Sequence, residues 1–273
     1  MKSFSAPIFA LALAGTAPAM AAVVHDASSG LKSVEFLEGW RLPNGNRMAA
    51  ARIRLEDGWK TYWRAPGGIG IPATFDWTGS ENLSEVRFHW PTPTVYRDDG
   101  LVTIGYKHEL VLPIELTAPD AGQPMIINTT VDFALCHDVC LPASARISAV
   151  LMPDAEVEKA AITAALDAAP FTADQAGITG VSCGIAPVSD GFAITARFTT
   201  RDTLSGTALT VFEYPHSDVW IDGTKTTHSG NEVTVTSMLY SYSETPLVLD
   251  RGRMRLTVLD QGRAIDIQGC PAL

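Results

Sequence analysis

The sequence predicts an all-β protein with two β-sandwich domains in series, joined by a short alanine-rich helix. Short runs of β-branched and aromatic residues recur through both halves, and turn residues such as those at 43–46 and 66–68 separate them. An alanine-rich segment within 153–177 divides the two halves. The chain has 273 residues, which is long enough for two domains of ordinary size.

Residues 1–21 have the pattern of a secretory signal peptide. Lys2 supplies the positive charge, an apolar run follows from Phe4 to Ala14, and Ala19-Met20-Ala21 has the small residues of a cleavage site. The apolar run is too short to span a bilayer, which takes about 20 residues. We therefore expect cleavage near Ala21 and a soluble mature protein in an oxidising compartment, where disulfides persist.

The first domain is predicted at residues 22–152. Short strands separated by regular turn signals are typical of a sandwich of antiparallel sheets. The predicted strands are Val34–Trp40, Met48–Arg54, Ala73–Trp77, Val86–Trp90, Leu110–Leu116, Met125–Ala134 and Ala145–Met152.

Residues 153–177 are predicted to be a linker that contains a helix. The stretch 155–169 is rich in alanine, Asp154 is a candidate N-cap, and Pro170 limits the far end. The second β-sandwich domain is predicted at 178–273. Its predicted strands are Gly180–Pro187, Phe192–Thr199, Thr207–Phe212, Val233–Leu239, Leu247–Asp250, Arg253–Leu259 and Arg263–Gly269.

Charge and motif content argue against several functional classes. The formal net charge is −10 and the sequence has no basic stripe, which argues against binding nucleic acid or an anionic membrane surface. The sequence also lacks a G-x-S-x-G elbow, an H-E-x-x-H motif and a phosphate-binding glycine loop. Hydrolytic chemistry therefore has no support in the sequence.

Cys136 and Cys140 are the most informative residues, since the four cysteines of the chain allow three pairings. A four-residue step along a strand spans about 13 Å, whereas a disulfide needs Cα atoms about 5.5 Å apart. A bond between these two cysteines therefore requires a turn, which the strands predicted on either side would form as a hairpin. Such a short loop gains little entropic stabilisation, so the pair suggests redox chemistry more than a structural staple.

Cys183 and Cys270 bracket the second predicted domain. A bond between them would close a loop of about 87 residues (270 − 183), which the chain-entropy model puts near 4–5 kcal/mol. Their positions predict a structural disulfide.

The close cysteine pair supports three functional hypotheses. In a redox centre, His137 beside Cys136 would favour the reactive thiolate, whereas the charge of Asp138 would oppose it. In a copper-tolerance protein, Cys136, Cys140 and His137, with His108 as a further ligand, would bind Cu(I), which prefers soft ligands. In a non-catalytic interaction domain, both disulfides would be structural. Trp59 and Trp63, just before the turn at 66–68, are candidates to line a surface groove.

Five motifs in a fixed order carry a family resemblance. They are Gly58–Gly67, Ile71–Trp77, Trp90–Pro93, Gly105-Tyr106 followed by Leu112-Pro113, and Cys136–Pro142. Together they resemble the periplasmic N-terminal region of DsbD-type thiol:disulfide interchange proteins, and most of all the ScsB branch, which is associated with suppression of copper sensitivity. The resemblance covers roughly Val34 to Met152, and the second half is more weakly similar to the extra β-domain of that branch.

The resemblance implies an immunoglobulin-like sandwich with a redox-active cysteine pair and no cofactor. It implies that electrons pass from a membrane thiol reductase to periplasmic thioredoxin-like proteins. By the same resemblance, Cys140 would exchange with partners and Cys136 would resolve the mixed disulfide. A cap loop at Asp98–Tyr106 would shield the pair through Leu101 or Tyr106, and His137, Trp59 and Trp63 would border the site.

Two features depart from the family pattern. The C-x3-C spacing is shorter than the spacing in DsbD itself, and the sequence contains neither a C-x-x-C motif nor a later transmembrane segment. We therefore expect a separate membrane partner to reduce the pair.

Overall fold

The computed structural model describes residues 22–25, 29–67, 70–98, 100–189, 191–216, 218–241 and 248–272. The predicted signal peptide at 1–21 lies outside these residues. The predicted all-β class is confirmed, because the described residues form four sheets and a single α-helix. None of the described helices is long and apolar enough to cross a membrane.

Two sheets, termed the N-terminal sheet pair, come from the first part of the chain. Sheet A has the order β1-β11-β10-β4-β8-β7 with β5 also pairing with β10, and sheet B has the order β2-β3-β9-β6. The strands are β1 (Ala22–His25), β2 (Leu31–Arg41), β3 (Arg47–Leu55), β4 (Lys60–Tyr62), β5 (Thr74–Asp76), β6 (Glu85–Phe88), β7 (Thr94–Asp98), β8 (Leu101–Lys107), β9 (Glu109–Thr117), β10 (Met125–Cys136) and β11 (Cys140–Leu151).

Two further sheets, termed the C-terminal sheet pair, come from the rest of the chain. Sheet C has the order β12-β19-β18-β15 and sheet D the order β13-β14-β17-β16. The strands are β12 (Phe171–Thr172), β13 (Thr179–Val188), β14 (Gly191–Thr199), β15 (Leu209–Glu213), β16 (Val219–Ser229), β17 (Glu232–Ser241), β18 (Arg255–Asp260) and β19 (Arg263–Gln268). The division of the chain into two domains at 153–177 stays a prediction.

Sequence patterns failed where strands are short or carry turn residues. The cap loop predicted at Asp98–Tyr106 is mostly strand β8, which pairs with β7 as a hairpin. The strand predicted at Leu247–Asp250 is wrong for its described residues, which are irregular. Asp250 instead caps a 3₁₀-helix at Arg251–Arg253, because its carboxylate accepts a hydrogen bond from the Gly252 N–H. Asp side chains favour such caps over strand pairing.

Sheets A and B pack face to face around one hydrophobic core. In β10, Ile127 and Val131 are buried in this core, whereas Ile126 and Asp132 face outward, as the two-residue period of a strand requires. The same buried cluster includes Leu259 of sheet C. The two sheet pairs therefore share buried apolar surface.

The helix α1 (Lys159–Asp167) packs on the outer face of sheet B, where Ile162 is buried against Leu37 and Met48. Asp154 is not its N-cap. The helix begins after Glu158, whose carboxylate accepts a hydrogen bond from the Glu38 N–H at 3.0 Å. This contact attaches the segment to β2.

A charged cluster joins β4 to the C-terminal sheet pair. The Arg64 guanidinium, two residues beyond β4, donates from Nε to Glu213 Oε2 at 2.9 Å and lies 3.9 Å from Asp266 Oδ2. Arg255 Nε is 3.0 Å from the other oxygen of Asp266. Burial raises the pKa of Asp266, and the charges of Arg255 and Arg64 act in the opposite direction.

We expect Arg64→Met to reduce the free energy of unfolding by about 2–3 kcal/mol at pH 7, because it leaves two carboxylates half-buried without their shared cation. The pKa of Asp266 is raised in the folded state, so its ionised form destabilises the fold as the pH rises through that pKa. Loss of the Arg64 charge in the variant raises this pKa further. The deficit should therefore shrink as the pH falls toward 4. Urea unfolding at both pH values measures it.

The matched control is Arg87→Met, which removes an exposed arginine 3.7 Å from Glu85. This change should cost about 0–1 kcal/mol at either pH. Equal losses in the two variants would show that the cluster does not hold the sheet pairs together.

Candidate redox site

The two close cysteines end and begin consecutive strands of one hairpin. Cys136 is the last residue of β10 and Cys140 the first residue of β11, and they face each other as the final register pair. They form a disulfide with Cα atoms 4.2 Å apart, near the roughly 4.5 Å of a non-hydrogen-bonded antiparallel pair. The C-x3-C spacing therefore corresponds to a three-residue hairpin loop, closed by a hydrogen bond from the His137 N–H to the Val139 carbonyl.

The two sulfur-bearing residues differ in their exposure. Cys136 is 3% exposed, whereas Cys140 belongs to the exposed residues of the hairpin end. Val139, beside Cys140, is also largely exposed. An incoming thiol can therefore approach Cys140 more easily than Cys136.

Strand β4 positions a residue that sequence reasoning missed. Lys60 and Thr61 pair with Cys136 and Leu135, so Tyr62 lies on the same face of sheet A as Cys136. The Tyr62 hydroxyl is 2.8 Å from Cys136 Sγ and 3.1 Å from Cys140 Sγ. The two-residue period of a strand at 60–63 could have indicated that Tyr62 faces the cysteines. A strand of three residues, however, gives too weak a sequence signal.

His137 follows Cys136 in the hairpin loop, and Trp59 lies beside His137; their role as border residues of the site stays a prediction. Their rings are 5.8 Å apart. Trp59 packs against Gly30, and the His137 imidazole lies against Gly58, whose φ is +84°. A Cβ atom at residue 58 would come within 2.7 Å of that ring. Glycine is therefore needed at 58 both for its backbone conformation and for the space it leaves to His137.

The exposed loop carries one ion pair beside the disulfide. His137 Nδ1 lies 3.0 Å from Asp138 Oδ2, and the Asp138 side chain is almost fully exposed. This interaction operates only when the imidazole is protonated. Solvent screens it, so we expect a small contribution to stability.

Trp63 and Tyr106 do not reach the pair. Trp63 is fully buried in the core, and Tyr106 is buried with its hydroxyl donating to the Pro91 carbonyl at 2.8 Å. The register places Tyr106 opposite Thr61, one residue away from Tyr62. Since successive residues of a strand face opposite sides, the predicted border residue Trp63 and covering residue Tyr106 point into the core instead.

The β7–β8 hairpin is attached to the strand beside Cys136. Lys60 Nζ lies 3.4 Å from Asp98 Oδ2 and donates to Thr103 Oγ1 at 3.2 Å. Leu101 pairs with Asp98 at the hairpin end and is 52% exposed. The predicted cap residue Leu101 is therefore a solvent-facing residue, tied to the site through Asp98 and Lys60.

Cys183 and Cys270 form the second disulfide, and both are buried at 0% and 1% exposure. The bond joins β13 to the segment after β19, within the core of the C-terminal sheet pair. Both of its cysteines are therefore buried, whereas the first disulfide includes the exposed Cys140.

Metal-binding groups do not converge in the part of the chain that the structure describes. No three His, Cys, Asp or Glu side chains there are placed to hold a metal ion. His108 lies exposed in the turn between β8 and β9 with a φ of 67°. The copper hypothesis stays a prediction for the reduced protein, because Cu(I) binds thiolates and a disulfide contains none.

Residues 33–152 match the family model described as thiol:disulfide interchange protein DsbD, N-terminal. These residues are a DsbD N-terminal region. The predicted family is thereby confirmed. The matched range of this chain includes both cysteines of the hairpin and all of β4.

The crystal structure of the N-terminal periplasmic domain of ScsB from Proteus mirabilis is similar to most of this chain. The similarity has a TM-score of 0.63 and 20% sequence identity, over 93% of this chain and 94% of that chain. It shows a common fold that extends beyond the DsbD N-terminal region. A comparison with curated proteins finds no match.

We expect the two disulfides to differ in their reaction with dithiothreitol under native conditions. The disulfide of the DsbD N-terminal region should be reduced within minutes, because Cys140 is exposed, whereas Cys183–Cys270 should resist until the protein unfolds. Differential alkylation followed by mass spectrometry measures both. Reduction in guanidinium chloride is the control, and the two bonds should then open at similar rates.

Proposed function

We propose that this protein is a thiol–disulfide exchange module of the periplasm. It passes electrons from a membrane thiol reductase of the DsbD or ScsB type to thioredoxin-like proteins. The observation that carries the proposal is the disulfide at the hairpin end, which joins one exposed and one buried cysteine. Membership of residues 33–152 in the DsbD N-terminal family supports the same chemistry.

The unequal exposure supports a distinct role for each sulfur. In the reduced protein, the Cys140 thiolate attacks one sulfur of a partner disulfide, and the other partner sulfur leaves as a thiolate. The Cys136 thiolate then attacks Cys140 Sγ in this mixed disulfide, and the second partner sulfur leaves. The partner gains two electrons, and the Cys136–Cys140 bond re-forms.

The reverse sequence resets the module. A thiolate of the membrane reductase attacks Cys140 Sγ, and Cys136 leaves as a thiolate. A second reductase thiol, once deprotonated, displaces Cys140 and completes its own disulfide. The reductase loses two electrons, and both thiolates of the module take up protons as their equilibria require.

The surface beside Cys140 suits docking of a partner protein. Trp59, His137 and exposed Val139 surround the hairpin end, and the Asp98–Leu101 end of the neighbouring hairpin is held nearby through Lys60. Aromatic side chains are common in protein interfaces. We propose that partners dock on this surface, without a contribution from Trp63.

The organisation of the whole chain forms part of the proposal. We propose export by cleavage of residues 1–21, followed by folding into two immunoglobulin-like domains in series with the alanine-rich helix between them. The grouping of the four sheets into two pairs, on either side of residue 152, supports this arrangement.

Single cysteine substitutions should have opposite consequences in an exchange assay. Cys140→Ser should abolish exchange with a thioredoxin-like protein, because the exposed nucleophile is lost. Cys136→Ser should accumulate a mixed disulfide through Cys140, because no resolving thiol remains. Non-reducing electrophoresis and mass spectrometry of trapped species in a periplasmic extract would detect the adduct and identify the partner.

Val150→Ser is the matched control, since it alters an exposed residue of β11 at the far end of the hairpin from the two sulfurs. It should retain exchange at near the native rate. Absence of any mixed disulfide with Cys136→Ser, while the pair remains reducible by dithiothreitol, would refute the electron-transfer role and leave the non-catalytic interaction hypothesis.

A further inference from the structure

The Tyr62 hydroxyl lies between the two sulfurs of the disulfide. It is 2.8 Å from Cys136 Sγ and 3.1 Å from Cys140 Sγ. Disulfide sulfurs carry no proton, so the phenol O–H is the donor in both contacts. One proton serves two acceptors, and the shorter distance favours Cys136.

Tyr62 is held in this place from several sides. Its side chain is 2% exposed and forms a small buried cluster with Ala134 and Cys136. Thr61 anchors β4 to β10, since its hydroxyl donates to the Ala134 carbonyl at 3.0 Å. The phenol is therefore preorganised toward the sulfurs and does not have to move there during a reaction.

Opening of the disulfide creates a charge where water has little access. When a thiolate attacks the exposed Cys140 Sγ, Cys136 Sγ leaves with the electron pair of the broken bond. Cys136 is 3% exposed, so solvent can stabilise this new charge only weakly. Within the described part of the chain, Tyr62 is the one side chain seen to donate a hydrogen bond to Cys136 Sγ.

We propose that Tyr62 is a catalytic residue of the exchange reaction, whose O–H stabilises the Cys136 thiolate as the disulfide opens. This inference rests on the proposed function and adds a third member to the cysteine pair. The phenol keeps its proton and donates a hydrogen bond to the departing sulfur, as a preorganised donor does for a developing oxyanion. When the disulfide closes again, the same donor holds Cys136 as the thiolate that attacks.

The protonation state of Tyr62 suits this role. Burial raises the pKa of the phenol above its ordinary value of 10.0. The hydroxyl therefore remains a donor throughout the neutral range and above it. A nearby thiolate would raise this pKa further, since two negative charges so close repel each other.

The test is the rate at which dithiothreitol reduces Cys136–Cys140 in Tyr62→Phe, measured by stopped flow and quenched alkylation. We expect the rate to fall about tenfold at pH 7, because the leaving thiolate loses its hydrogen bond. In the Cys140→Ser background, the titration midpoint of Cys136, followed by ¹³Cβ NMR, should rise by about one pH unit when Tyr62 becomes Phe.

Tyr106→Phe is the matched control. It also removes a hydroxyl with a buried hydrogen bond, but this hydroxyl faces the core and bonds to Pro91. Equal reduction rates and equal Cys136 midpoints in the two variants would overturn the inference. The exchange role itself would survive this result, because it is tested by mixed-disulfide trapping with Cys136→Ser.

A measurement without a tyrosine substitution keeps the inference testable if Tyr62→Phe fails to fold. In the unmutated protein, the ¹³Cζ resonance of Tyr62 should titrate at higher pH after reduction of the pair than before it. The resonance can be assigned from its contacts with Ala134 and Cys136. An unchanged titration would mean that no thiolate forms beside the phenol and would overturn the role of Tyr62.

Discussion

The site depends on the pairing of the short strand β4 with the end of β10. Two register pairs and the Thr61–Ala134 hydrogen bond hold β4 there. Three alternate residues, Lys60, Tyr62 and Arg64, then lead to three different parts of the molecule. Lys60 is attached to the β7–β8 hairpin, Tyr62 to the disulfide and Arg64 to the C-terminal sheet pair. A segment of five residues therefore connects the disulfide to both the β7–β8 hairpin and the second half of the chain.

The end of β10 is built differently from the rest of the strand. Along most of its length one face is buried and the other faces solvent, but from Phe133 to Cys136 both faces are buried. The inner face contributes to the main core, and the outer face lies under Tyr62. In the proposed exchange reaction, burial of Cys136 and exposure of Cys140 would combine a protected leaving group with an accessible point of attack. This asymmetry distinguishes the first disulfide from Cys183–Cys270, which is buried at both ends.

The C-terminal sheet pair contacts the N-terminal sheet pair through apolar and charged residues. Leu259 and Ala264 of sheet C belong to the same buried cluster as the core of sheets A and B. The charged cluster around Arg64 adds directional contacts to this apolar surface, and its carboxylates are compensated by two arginines. Partly buried charges are costly unless they are paired, so these ion pairs favour the observed contact between the sheet pairs. The position of β4, and through it that of Tyr62, is thus linked to residues far along the chain.

The sequence by itself determined the all-β class, most of the long strands and the hairpin turn that brings Cys136 and Cys140 together. These features are local, because strand periodicity and a turn between two cysteines can be recognised from consecutive residues. It also predicted that Trp59 and His137 border the pair, and the structure brings these two rings together. Only the tertiary structure decided that Tyr62, and neither Trp63 nor Tyr106, touches the sulfurs. That choice depends on the register between β4, β8 and β10, and a shift by one residue would exchange the two faces of the strand. Such register is set by packing between distant segments, which no local pattern in a three-residue strand can specify.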